Sequence, residues 1–129
     1  MTRVILIDSD VLIWLTRGQQ SAKARLSEIN PWRISAITYM ELAQGCRSKE
    51  ELQRAKRGLE RKDTEIFPLT PSISERAMQL IDAHALSDGL QLADALIAAT
   101  AIEQGFVLLT GNTKRLSAID ALKIERLKP

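Results

Sequence analysis

Val4-Ile-Leu-Ile-Asp8-Ser-Asp10 carries four consecutive apolar residues, most of them β-branched, that run directly into two carboxylates. A short, uninterrupted apolar run of this kind is typical of a strand buried on both faces of a parallel sheet. Val11-Leu-Ile-Trp-Leu15 follows without a turn cluster, which predicts a helix over about 11–16. Asp8 is therefore expected at the carboxyl end of a central strand, where open α/β sheets bind ligands.

The remainder of the chain alternates between helical and strand patterns. Helices are predicted over 21–29, 38–46, 47–62 and 92–102 and from Thr70-Pro-Ser72 to the Ser87-Asp-Gly89 break, and strands over 32–36, 65–67, 106–109 and, as a short edge strand, 123–127. Ser72 and Glu75 have the spacing of a capping box. Alternating strands and helices favour a parallel sheet covered on both faces, with right-handed crossovers. The expected fold class is α/β: one three-layer α/β/α domain over 1–129 with a mostly parallel sheet of four or five strands.

Length, net charge, cysteine count and apolar run length limit the classes of function that the chain can have. The length of 129 residues suits one domain, and the net charge of +2 permits nucleic-acid binding without requiring it. A single cysteine cannot form an internal disulfide, so a reducing, cytoplasmic location is expected. No apolar run approaches the roughly 20 residues of a membrane helix, so no membrane association is expected.

The expected topology brings four polar side chains to one edge of the sheet. Asp8 ends the first strand, Asn112 follows the fourth, and Glu41 and Asp94 lie near the starts of helices. Carboxylates held together repel one another unless one keeps its proton or a cation binds. Oxygen ligands in an open cleft select Mg²⁺ or Mn²⁺, which would activate water and neutralise phosphate charge.

Each of these residues also has a structural interpretation. Thr38-x-x-Glu41 has capping-box spacing, and Asp10 suits the N-cap of the first helix. Asp94 could oppose a helix dipole, and Asn112 could belong to a turn. Asp8 is harder to explain structurally because it directly follows a buried strand. The coincidence of several such residues at one edge favours a functional site.

The chain resembles the PIN-domain ribonucleases and, within them, the VapC-type toxins of toxin–antitoxin pairs. The resemblance covers essentially the whole chain and is carried by Ile7-Asp8-Ser-Asp10-Val-Leu-Ile-Trp14, Ile34-Ser-Ala-Ile-Thr-Tyr-Met-Glu41-Leu, Leu92-Ala-Asp94-Ala-Leu-Ile-Ala-Ala-Thr100 and Leu109-Thr-Gly-Asn112-Thr-Lys. It implies that Asp8, Glu41 and Asp94 form the acidic metal-binding set and that Asn112 or its neighbourhood is the fourth position.

The resemblance also implies the chemistry and the partners. The implied activity is Mg²⁺- or Mn²⁺-dependent endoribonuclease cleavage of RNA by a toxin, and the implied partners are a cognate antitoxin and a second copy in a homodimer. Many relatives carry an acidic residue and an aromatic where this chain has Arg115 and Leu116. Asp10 is the candidate to supply the missing charge. Lys114 and Arg115 are expected to contact RNA phosphates, whereas the basic helix over 47–62 is interpreted as a solvated face.

Two other functions remain open on the sequence alone. Asp8-x-Asp10 after a buried strand also suits a haloacid-dehalogenase-like phosphatase, with Asp8 as nucleophile and Asp10 as acid–base group. That alternative leaves Glu41 and Asp94 without a role. A non-catalytic domain of the PIN fold, binding RNA or a partner protein, is the second alternative, and the departure at Asn112 and Arg115 keeps it open.

Overall fold

Helices and strands alternate along the computed structural model, which describes residues 3–129. In chain order the elements are β1 (Ile5–Ile7), α1 (Ser9–Thr16), α2 (Gln20–Ser27), β2 (Arg33–Ser35), α3 (Ala36–Gln44), α4 (Lys49–Arg61), β3 (Glu65–Phe67), α5 (Pro71–Asp88), α6 (Leu92–Gln104), β4 (Val107–Thr110), α7 (Thr113–Leu116) and β5 (Lys123–Arg126). The α/β class is confirmed. The short helix α7 was not predicted.

All strand pairs within residues 3–129 are parallel, but they form two hydrogen-bonded groups. One sheet has the order β1-β4-β5, and β2 pairs with β3 separately. β1 and β2 lie side by side, yet these three-residue strands do not form a ladder with each other. The expectation of one sheet with four or five strands is therefore wrong in its strand count, because the pairing stops between β1 and β2.

The central strands β1 and β4 are buried on both faces. Successive side chains of a strand point to opposite faces. Leu6 and Leu108 pack in one apolar cluster with α5 and α6, whereas Ile7 and Leu109 pack in another with α1 and α2. The sheet is thus the middle layer between two sets of helices, which pack on both of its faces.

Two helices have a different N-terminal capping residue from the one predicted. Thr70, not Ser72, caps α5, because its hydroxyl accepts a hydrogen bond from Ile73 N at 3.2 Å. Asp8, not Asp10, caps α1, which begins at Ser9, two residues before the predicted start. No helix within residues 3–129 combines the length and the apolar character needed to cross a membrane.

Candidate active site

Asp8 lies where β1 ends beside β4. Ile7 is paired with Leu109, and the next backbone bond runs from Asp8 N to Leu109 O at 3.0 Å. The register places Thr110 beside Asp8, and the Thr110 hydroxyl donates to Asp8 Oδ2 at 2.7 Å. Ser9 N donates to Asp8 Oδ1 at 2.7 Å, and Asp8 is only 7% exposed. The carboxylate is therefore fixed at the edge of the sheet.

Asp10 faces the same edge but is incompletely bonded. Its Oδ2 accepts a hydrogen bond from Gly111 N at 3.0 Å. Its Oδ1 is buried and has no hydrogen-bond partner within residues 3–129. A buried carboxylate oxygen without a partner is costly, so a water molecule or a cation bound beside it would be favourable. The interpretation of Asp10 as the cap of α1 is wrong, since Asp8 fills that position.

Glu41 lies on α3 and reaches the site through Ser9. The Ser9 hydroxyl donates to Glu41 Oε1 at 2.6 Å. α3 begins at Ala36 with Ser35 as its cap, so Thr38 is a buried residue inside the helix. The capping-box interpretation of Thr38 and Glu41 is therefore wrong, because the helix starts earlier than its predicted start at residue 38.

Asp94 is at once a capping residue and a member of the site. It lies in the first turn of α6, and its Oδ2 accepts a hydrogen bond from Gln91 N at 3.0 Å, closing a capping box. Arg115, on α7, forms an ion pair with the same carboxylate: its Nε is 3.0 Å from Oδ2 and its Nη2 is 3.3 Å from Oδ1. The structural interpretation of Asp94 is thus correct but incomplete.

Asn112 lies between β4 and α7 and links the part of the site around Asp8 to the part around Asp94. Its backbone N donates to the Thr110 hydroxyl at 3.0 Å. Its side-chain oxygen, oriented toward the guanidinium, accepts from Arg115 Nη2 at 2.9 Å and Nε at 3.0 Å. A guanidinium has only donors, so the oxygen must face it. The four residues Asp8, Glu41, Asp94 and Asn112 therefore belong to one network of hydrogen bonds.

Electrostatics raise the proton affinity of two carboxylates in the site. Burial, together with the neighbouring charges of Asp10 and Asp94, raises the pKa of Asp8 to about 7, against the opposing hydrogen bonds from Thr110 and Ser9. Burial also raises the pKa of Asp10, which the Gly111 amide and the charge of Arg115 counteract. Burial is the largest cause of both pKa changes, and repulsion from the neighbouring carboxylates adds to it.

The donor set fits a hard divalent cation. Its side chains offer carboxylate oxygens, and one of them, Asp10 Oδ1, is buried without a partner. In their present rotamers, no three acidic, histidine or cysteine side chains within the described part of the chain are close enough to hold one metal ion. Glu41 is turned to Ser9, and Asp94 to Arg115. Side-chain rotation would be needed for more than two of them to bind the same Mg²⁺ or Mn²⁺.

Trp14 and Gly111 form a contact that the sequence did not reveal. A Cβ at Gly111 would lie 2.0 Å from Trp14 Cη2, so only glycine allows the chain to pass the indole at this point. Gly111 is the residue whose N–H binds Asp10. Ser9 and Thr110 were also not singled out as parts of the site. Their positions next to Asp8 and at the end of the paired strand were the available signals.

The predicted RNA-contacting residues differ in their surroundings. Lys114 is exposed. Arg115 is half-buried, and its guanidinium is bonded to Asp94 and Asn112. Contact of either residue with RNA stays a prediction. On α4, the basic side chains Arg54 and Arg57 are exposed, as expected for a solvated face.

The model of the PIN domain family matches residues 5–122. The chain therefore belongs to the PIN domain family, and the resemblance noted in the sequence is confirmed. A chain of a toxin–antitoxin complex from Klebsiella pneumoniae is 33% identical, with a TM-score of 0.78 over 92% of this chain and 94% of that one. Curated protein sequences give no match.

More distant solved structures share the fold. A chain of VapBC2 from Rickettsia felis, bound to a DNA fragment from its promoter, is 22% identical, with a TM-score of 0.80 over 97% of this chain and 99% of that one. Mycobacterium tuberculosis VapC20, a sarcin-ricin loop cleaving toxin, is 18% identical, with a TM-score of 0.63 over 79% of this chain and 84% of that one. The family match argues against the phosphatase alternative, which would use Asp8 and Asp10 but neither Glu41 nor Asp94.

Proposed function

We propose that this protein is a Mg²⁺- or Mn²⁺-dependent endoribonuclease and the toxin of a toxin–antitoxin pair. PIN-domain toxins are generally nucleases, and the 33% identical structure belongs to a toxin–antitoxin complex. The observation that carries the proposal is the convergence of Asp8, Asp10 and Asp94 at the carboxyl edge of β1 and β4, with one buried carboxylate oxygen left unpaired.

The acidic residues share one role in the proposed reaction. Asp8 and Asp94, with Glu41 and Asp10, would hold the cation, and Asn112 would keep the loop after β4 in place through its bonds to Thr110 and Arg115. When bound, Mg²⁺ or Mn²⁺ supplies Lewis acidity and lowers the pKa of water. Thr110 and Ser9 orient the Asp8 carboxylate, and exposed Lys114 would attract the RNA backbone.

The proposal is tested with the purified full chain, freed of any partner, on total cellular RNA. We expect discrete cuts with Mn²⁺ or Mg²⁺, none with EDTA, and none with Asp8→Ala or Asp94→Asn. Asp82→Asn is the matched control, because Asp82 is an exposed carboxylate on α5, away from the site. Circular dichroism must show that each variant is folded.

The outcomes separate the proposal from its alternative. Full cleavage by folded Asp8→Ala or Asp94→Asn would refute the assignment of the site. RNA that is bound but left intact in the presence of either metal would instead identify a non-catalytic RNA-binding domain of the PIN fold. The salt dependence of RNA affinity reports phosphate contacts, since counterion release makes such binding weaken steeply with salt.

An antitoxin is the proposed protein partner. A groove of about 730 Å³ lies between α1, α3 and α4 and opens beside Glu41. Leu12, Leu15, Leu42 and Leu59 are among the apolar residues that line it. A segment bound there would lie next to the candidate site. Mixing the chain with the product of the adjacent gene tests this proposal: a stable complex that no longer cleaves RNA is expected.

A homodimer is the other proposed assembly. Met78 and Leu86 on α5 and Leu92 at the start of α6 are large apolar side chains with exposures of 61%, 103% and 71%. Large exposed apolar side chains on neighbouring elements can contribute to an interaction surface. Sedimentation equilibrium should show a dimer that Leu86→Glu weakens. A concentration-independent monomer would refute it.

A further inference from the structure

Arg115 and Asp94 form an ion pair inside the candidate site. Arg115 is the only basic side chain within residues 3–129 whose charged nitrogens contact a carboxylate of the site. The Asp94 side chain is 12% exposed, less than any other carboxylate that forms an ion pair in the described part of the chain. This pair is therefore unlike surface pairs, which contribute little to stability.

The Asp94 carboxylate contacts one backbone donor and one guanidinium in this structure. Oδ2 accepts a hydrogen bond from Gln91 N at 3.0 Å and lies 3.0 Å from Arg115 Nε, while Oδ1 accepts a hydrogen bond from Arg115 Nη2 at 3.3 Å. A cation that binds Asp94 would lie beside these donors, of which only the Arg115 guanidinium carries a positive charge that repels it. Gln91 N is a backbone group at the start of α6, and losing its bond would open the helix cap. Arg115 is therefore the donor that can leave.

The position of Arg115 on α7 allows it to move without unfolding the helix. Its neighbour Leu116 is 1% exposed and packs in the core, which anchors α7. The Arg115 side chain itself is 40% exposed, so the guanidinium can rotate into solvent. A guanidinium and a divalent cation on one carboxylate would repel each other strongly at such short distances.

We infer that Arg115 is a built-in competitor of the divalent cation: it neutralises Asp94 in the metal-free protein and must leave this carboxylate before a cation can bind there. The inference rests on the proposed metal site. Arg115 would lower the affinity of the cleft for metal and stabilise the metal-free fold, because a partly buried carboxylate without any counter-ion is costly. Arg115 thereby sets the metal concentration at which the site fills.

Arg115→Gln tests this inference through Mn²⁺ binding, measured by isothermal titration calorimetry on metal-free full-length protein. Glutamine keeps a hydrogen-bond donor but removes the charge. We expect Arg115→Gln to bind Mn²⁺ about tenfold more tightly, a gain of about 1.4 kcal/mol. Arg76→Gln is the matched control, because Arg76 has a similar exposure of 39% and pairs with Glu103 on the surface. Its Mn²⁺ affinity should equal that of the wild type.

A double-mutant cycle identifies the carboxylate involved. In the Asp94→Asn background, Arg115→Gln should have a much smaller effect, since the competed carboxylate is gone. Arg115→Lys retains a positive charge but loses the planar set of N–H donors of the guanidinium. Its Mn²⁺ affinity is therefore expected to lie between those of the wild type and Arg115→Gln. This variant also serves if Arg115→Gln fails to fold.

The inference and the proposed function can fail separately. Unchanged or weaker Mn²⁺ binding by folded Arg115→Gln, with wild-type binding still dependent on Asp8, would overturn the inference alone. Mn²⁺ binding that is absent from the wild type and from Arg115→Gln alike would overturn the metal site and the inference together.

Discussion

Replacing Asp8 with asparagine should make the metal-free protein more stable at alkaline pH. Asp8 is buried, and its pKa is raised from 3.8 to about 7, so ionising it in the folded state is unfavourable. The folded protein therefore holds a proton that the unfolded chain releases between about pH 4 and pH 7. Stability contributed by this proton is complete at acidic pH and is lost as the pH rises through the folded-state pKa. Because asparagine cannot ionise, Asp8→Asn does not lose this stability as the pH rises.

The size of the effect follows from the pKa. A pKa difference of one between the folded and unfolded states corresponds to about 1.4 kcal/mol, so the rise from 3.8 to about 7 costs the wild type about 4 kcal/mol of unfolding free energy at alkaline pH. Asparagine disturbs one hydrogen bond, because the Thr110 hydroxyl donates to Asp8 Oδ2 and would meet an amide group instead. This disturbance costs about 1 kcal/mol. A net gain of about 3 kcal/mol is expected above about pH 7, and a small loss near about pH 4.

Urea unfolding, followed by circular dichroism in EDTA at about pH 5 and about pH 8, measures this difference. The unfolding free energy of Asp8→Asn relative to wild type should increase by about 3 kcal/mol between the two pH values. Asp82→Asn, at an exposed position, should show no such change. Mn²⁺ at the higher pH should stabilise the wild type but not Asp8→Asn, since only a bound ligand shifts the equilibrium. An equal destabilisation of Asp8→Asn at both pH values would refute the reasoning.

Five further substitutions test three other contacts by urea unfolding. Gly111→Ala places a Cβ 2.0 Å from Trp14 Cη2 and should cost about 1–3 kcal/mol, whereas Gly58→Ala, with nothing within 4 Å in α4, should stabilise by up to about 1 kcal/mol. Thr70→Ala should cost about 1 kcal/mol and Ser72→Ala almost nothing, which would be reversed if Ser72 were the cap. Ser9→Ala should cost about 1 kcal/mol through the lost bond to Glu41, and an unchanged stability would show that bond to be unimportant.

The main features of the fold follow from local patterns. The apolar run before Asp8 predicts β1 because only a strand buried on both faces accommodates such a short β-branched segment. β1, α1 and α6 lie close to their predicted positions. The convergence of Asp8, Glu41, Asp94 and Asn112 could also be predicted, because parallel strands end at the same edge of a sheet. The role of each in catalysis stays a prediction.

Other features depend on contacts between residues distant in the chain. Asp10 loses its predicted capping role because Asp8 caps α1 and the Gly111 amide reaches Asp10 from the end of β4. The break between β1 and β2 also has no local signal. These outcomes depend on how close two segments come after packing, which side-chain periodicity does not encode.

The sequence by itself determined the order of the elements, the buried strand and the set of carboxylates at its end, since residue type and spacing specify these locally. Only the tertiary structure decided which atoms meet: within residues 3–129, Arg115 with Asp94, Trp14 with Gly111, and no partner for Asp10 Oδ1. The physical reason is the separation along the chain between the residues that interact. Strand and helix patterns arise between residues a few positions apart, whereas the charge balance of the site depends on groups from α6 and α7 that only packing brings together.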